Sequence, residues 1–173
     1  MEYREATAEH DDIVVSHYLA IWESYGTPPD HLRQDAWAVV SEFLDDGRRN
    51  RKLASFIAFD GTTAAGSASC QLHMMPYPTV LKAEHMLQGY IWSVYVDPAY
   101  RRRGVSKRLT SMAIEYLRGI GCTGVVLHSS EVGESLYRGL RFEVGREMRL
   151  KFGDGSRAQI SPGDRRACTG HRP

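Results

Sequence analysis

Five of the eight residues from Arg101 to Arg108 are basic, and Gly104 sits among them in the run DPAYRRRGVSKR. What surrounds the cluster decides what it can do. Before it, Tyr90-Ile-Trp-Ser-Val-Tyr-Val96 has the aromatic and β-branched composition of a strand, which Pro98 stops. After it, apolar residues at 105, 109, 112/113, 116/117 and 120 line one side of a helix closed by Gly119 and Gly121. A strand, a glycine turn and a helix present unbonded amides at the positive end of a helix dipole. Glycine lets the backbone approach closely and the guanidiniums add charge, so the segment suits a compact phosphate ligand.

The bulk composition separates this from a nucleic-acid surface. The 173-residue chain has 22 Lys+Arg against 21 Asp+Glu, a net charge of +1. DNA or RNA binding calls for cations spread along a face, whereas these form one cluster in a balanced chain. No GxxxxGK[ST] loop and no GxGxxG after a first strand occurs, which argues against an NTPase and a dinucleotide fold. The absence of a long apolar run predicts no membrane span, and the polar start predicts no signal peptide. Cys70, Cys122 and Cys168 are too few and scattered for a disulfide framework, so a cytoplasmic location is expected. Cys168 and His171 alone make a poor metal site, and no metal is expected.

The pattern describes one α/β (α+β) domain over residues 1–152, followed by a polar, partly disordered tail over 153–173. A first strand at Tyr3–Ala6 leads through a Thr7 cap into a helix over 9–25, with Val14, Tyr18, Ile21/Trp22 and Tyr25 on its buried face. A second helix is expected from Asp30 to about Asp45, then a loop at 46–50. Ala54–Asp60 and Ala64–His73 read as a hairpin around Gly61, and 74–89 as a long exposed loop. Beyond the motif, Gly124–His128 reads as a strand, Glu131–Gly139 as a helix, and Phe142–Val144 with Glu147–Phe152 as a strand pair.

The stretch VYVDPAYRRRGVS, with ESLYRGLRF about thirty residues on, resembles the Gcn5-related N-acetyltransferase (GNAT) superfamily. The family signature runs V-x-V-x-P-x-x-R/Q-x-x-G-x-G/A, and Val94, Val96, Pro98, Arg101 and Gly104 match it in order and spacing. Ser106 stands for the usual Gly or Ala, and Arg141 for the Gly before Phe142. The resemblance implies a mixed central sheet of about six to seven strands, splayed between the fourth and fifth, with about four flanking helices. It implies acetyl-CoA as cosubstrate. The amides of Arg102, Arg103, Gly104, Val105 and Ser106 would take the pyrophosphate, with Arg101 at the turn's edge. Val94, Tyr95 and Val96 would pair with the pantetheine arm.

Acetyl transfer to an amine requires a neutral nitrogen, although a lysine-like ammonium has a pKa near ~10.4. It also requires a donor for the oxyanion, which an amide near Val96 would supply, and a proton for the departing thiolate. Tyr137 matches the family tyrosine that gives that proton. The base is open: where some members have glutamate this chain has Tyr90, and His73, Glu84, His85, His128 or a relayed water are candidates. Ser130, where the family often has Asn, reads as a helix cap. Trp22, Tyr25, the 26–30 turn and the 74–89 loop would border the acceptor, a small-molecule or protein primary amine. The expectation is direct transfer in a ternary complex, because neither Cys70 nor Cys122 has a recognisable base partner. The alternative is a non-catalytic acetyl-CoA sensor, and by family analogy an exposed sheet edge allows a homodimer.

Overall fold

A computed structural model describes residues 1–150. Residues 1–142 make one compact unit, and the second begins at Glu143. The expected boundary at 152/153 and the Cys168–His171 pair lie outside the described residues.

The first unit is a mixed sheet with helices on both faces. Strands β1 (Glu2–Glu5), β2 (Ala54–Asp60), β3 (Thr63–Leu72), β4 (Gln88–Val96) and β5 (Gly124–Val126) lie in sequence order, antiparallel except for the parallel β4–β5 pair. Helices α1 (Asp11–Ser24) and α2 (Ala36–Asn50) precede β2, α3 (Val105–Gly119) joins β4 to β5, and α4 (Glu134–Gly139) follows. The alternation of β2 explains the layering. Ala54, Phe56 and Ala58 join Val105, Leu109, Ala113 and Leu117 of α3 in one core. Ile57 and Phe59 join Val14 and Val15 of α1 and Val40 and Leu44 of α2 in the other. A strand covered on both sides reads as a continuous apolar run, as this one does.

The sheet has five strands among the described residues rather than six to seven. The expected pair over 142–144 and 147–152 carries no strand within 142–150, and residues 151 and 152 lie outside the described residues. Alternating side chains do not make a strand without a ladder to join, and β5 is only three residues long. It ends at Val126 rather than His128 for the same reason: its pairing with β4 stops there.

Helix α2 runs through the expected loop at 46–50. Contacts outweigh the turn-like composition of Asp46-Gly47-Arg48-Arg49-Asn50. Asn50 Nδ2 donates to Asp46 Oδ1 one turn back at 2.6 Å, and Arg48 forms a two-pronged ion pair with Asp11 of α1, one arm at 2.7 Å. Its start moves from Asp30 to Ala36 because Pro28-Pro29 sets up a separate 3₁₀ turn over Pro29–His31. Helix α4 likewise starts at Glu134 rather than Glu131, after a turn in which Gly133 N–H donates to Ser130 Oγ at 3.2 Å.

Candidate functional site

The site begins with an irregularity in β4. Ser67 of β3 faces Tyr95 and Ser69 faces Trp92, so Ala68 alone opposes Ser93 and Val94. This is a β-bulge, with Ser93 forced to a positive φ of 53°. Gly66 makes the close approach feasible, since a Cβ there would lie 2.6 Å from the Tyr95 carbonyl oxygen. The parallel ladder to β5 ends at Tyr90–Val126, before the bulge. Beyond it, Ile91–Val96 has no β5 partner among the described residues, which leaves an open strand edge there.

Val94 and Val96 turn toward the α3 core. Tyr95 turns the other way, its ring 4.7 Å from that of His17. His17 is a buried residue that the sequence reading did not select; its Nδ1 lies 2.9 Å from Ser67 Oγ. Burial lowers its pKa, against smaller raising effects from a backbone contact at Ala64 and from Asp97. Its place three residues after Val14, on the buried face, was a signal that could have been weighed.

At the end of β4, Asp97 Oδ1 accepts from the Ala99 N–H at 2.9 Å, starting a 3₁₀ turn through Tyr100. Arg101 Nε then donates to the Val96 carbonyl at 3.1 Å. The chain enters α3 through two left-handed residues, Arg102 at φ 61° and Gly104 at φ 78°. Gly104 caps the helix, and its carbonyl accepts the first helical bond, from Arg108 N–H at 3.1 Å. The amides of Val105, Ser106 and Lys107 precede the first intrahelical donor and stand at the positive end of a 15-residue helix. Arg101, Arg102, Arg103 and Gly104 are exposed there, and Arg103 leans over the Tyr100 ring at 5.5 Å. The open β4 edge therefore leads into a cationic helix N-terminus.

Tyr137 lies on α4, its ring 5.9 Å from that of Phe142. Desolvation, with a smaller effect from Tyr25, pushes the Tyr137 phenol up to about 12. Burial pushes the Cys70 thiol up to about 12 as well, and it also raises Cys122. Neither thiol is primed as a nucleophile.

A cavity of about 420 Å³ opens between α1, α2 and β4, lined by Tyr18, Phe43, Tyr90, Trp92 and His128 among others. Of the expected acceptor-bordering residues, Trp22 and Tyr25 are 39% and 63% exposed rather than core. The α1 face that is buried instead runs through Val14, Val15 and His17. Of the four base candidates, the cavity gathers His128 at its wall and His73 behind it, the latter stacked on Tyr90 at 5.2 Å. Glu84 and His85 pair with each other at 3.8 Å in the exposed loop. Among the described residues no helix is long and apolar enough to cross a membrane.

A family model described as the acetyltransferase (GNAT) family matches residues 14–141, and the chain belongs to that family. A glucosamine 6-phosphate N-acetyltransferase of Trypanosoma brucei brucei is 43% identical over 63 residues, which cover 36% of this chain and 43% of that relative. The chain thus matches less than half of the length of that curated protein. The fold is similar to a GCN5-related N-acetyltransferase from Ralstonia eutropha JMP134, with a TM-score of 0.73 at 21% identity over 87% of this chain and 97% of that one. It is equally similar to a predicted acetyltransferase with acetyl-CoA from Clostridium acetobutylicum, with a TM-score of 0.73 at 19% identity over 88% and 95%.

Proposed function

We propose that this protein transfers the acetyl group of acetyl-CoA to a primary amine, directly and within a ternary complex. The observation that carries the reading is the continuity of the unpaired β4 edge with the α3 N-terminus. An extended amide-bearing arm pairs naturally with a free strand edge, and a diphosphate with unbonded helix amides. The Arg102–Ser106 amides bind the pyrophosphate, with Arg101 and Arg103 adding charge, and Val94, Tyr95 and Val96 hold the arm. An amide near Val96 donates to the developing oxyanion, and Tyr137 gives the thiolate its proton. Direct transfer fits Cys70 and Cys122, whose raised pKa values keep them as thiols.

The aromatic cavity between α1, α2 and β4 takes the acceptor. No Lys or Arg lines it among the described residues, so an amine without a phosphate fits it better than the phosphosugar named for the trypanosomal relative. The test is thiol release from acetyl-CoA across a panel of alkylamines, arylethylamines, amino sugars, amino acids and lysine peptides. Turnover of one or more amines is expected. Tight acetyl-CoA binding with no turnover of any amine would instead leave the chain a cofactor sensor.

A further inference from the structure

The acceptor cavity contains its own proton path. An alkylamine enters such a site as an ammonium and must lose a proton before nitrogen can attack. The side chains lining the cavity include no Asp or Glu among the described residues, and their titratable members are Tyr18, Tyr90 and His128. Two of these three are joined. Tyr90 is the last β4 residue paired with β5 and His128 lies just beyond β5, and Tyr90 Oη lies 2.7 Å from His128 Nδ1. The rings meet edge to face at 5.8 Å. His73 stacks on the Tyr90 ring, with 5.2 Å between centroids and 21° between planes, and so restricts the ring's rotation. The pair stands where β4 and β5 part, at the mouth of the cleft that the donor would occupy.

We infer that Tyr90 and His128 form a proton relay that deprotonates the acceptor amine. The inference rests on the acetyl-transfer reading above. Tyr90 donates its O–H to His128 Nδ1 and accepts the ammonium's proton on its phenolic oxygen as its own proton passes to the imidazole. The amine leaves neutral, Tyr90 is unchanged, and His128 carries the added proton as imidazolium until solvent or product takes it. No oxidant, metal or other reactant is needed. Tyr90 touches the substrate and is the catalytic residue of the pair; His128 acts through it. Among the described residues, His73 stacks on Tyr90, Tyr18 shares the cavity wall, and the lining includes no Asp, Glu, Lys or Arg.

The test compares two acceptors: the fastest alkylamine of the panel, protonated at neutral pH, and hydroxylamine, already neutral there. Tyr90→Phe and His128→Gln should each lower the ratio of alkylamine to hydroxylamine kcat/KM at neutral pH by ~10²-fold or more, the ordinary worth of a positioned base. The lost alkylamine rate should return as pH rises toward the amine's own pKa. Acetyl-CoA affinity by calorimetry should stay at the wild-type value, which also verifies that each variant is folded. An unchanged ratio in either variant, or equal losses for both acceptors with cofactor binding intact, overturns the relay while leaving acetyl transfer standing. A wild-type protein that turns over no amine removes the acetyl-transfer reading itself.

Discussion

Arg101 Nε donates to the carbonyl of Val96 at 3.1 Å, tying the proposed phosphate turn to the last residue of the open strand. The side chain therefore braces the turn and leaves the rest of an exposed guanidinium for an anion. Lysine keeps the charge but loses the planar fork that does both at once. Arg101→Met should weaken CoA binding about tenfold or more, roughly 1.4 kcal/mol, and Arg101→Lys should recover only part of it. Calorimetric titration checks the series, and equal affinities in all three proteins would remove Arg101 from the site.

Gly104 allows charge and conformation to be separated. Its φ of 78° disfavours any L side chain, yet an added Cβ would meet nothing within 4 Å. Gly104→Ala should therefore cost about 1 kcal/mol of stability, the price of a left-handed non-glycine residue, and keep measurable CoA binding. Gly104→Asp carries no more backbone strain than Ala but brings a carboxylate to where phosphate is proposed, and should abolish binding at micromolar protein. Equal affinities for the two variants would move the pyrophosphate elsewhere.

The strand, glycine turn and helix start around Arg101 and Gly104 were legible in the sequence because they lie within one short run, and each has its own composition signal. The cavity was not. Tyr90 and His128 are 38 residues apart, and their meeting depends on a parallel ladder that stops at Tyr90–Val126. The bulge at Ser93 was equally hidden, because two residues opposing one is a property of the pairing and serine carries no mark of it. Fold class, the hairpin and α3 followed from periodicity. The end of α2 did not, because the Arg48–Asp11 ion pair that supports it spans two elements.

Tyr137 should matter for proton donation to the thiolate and not for cofactor affinity. Burial raises its pKa to about 12, so it keeps its proton throughout the ordinary assay range. Tyr137→Phe should lower kcat by roughly 10²-fold or more with little change in CoA affinity. In the wild type, Tyr137 should produce no fall in kcat with rising pH below about 10, because the folded phenol ionises only nearer about 12. Steady-state rates across that range test both statements, and a Phe variant with wild-type kcat would exclude the role.

His17 predicts how the fold responds to acid. Its ring is buried between Ser67 and Tyr95, directly behind the bulged part of β4, and desolvation holds its pKa below the usual value. The unfolded imidazole takes up a proton near ~6.5. Below that pH the unfolded chain binds the proton first, so the stability this ring contributes is whole above ~6.5 and is lost as pH falls toward the folded pKa. His17→Gln retains a polar group toward Ser67 without the titration. Thermal melts from pH 7.5 down to 5, in steps of about half a unit, should show the Tm of the wild type falling more steeply than that of the variant below ~6.5. Because His17 supports Tyr95, acid should loosen the proposed pantetheine edge along with the helix packing, and CoA affinity should decline over the same interval in the wild type alone. Parallel melting curves would show that the ring does not titrate differently on folding, and the link from α1 to the strand edge would then have to be carried by packing alone.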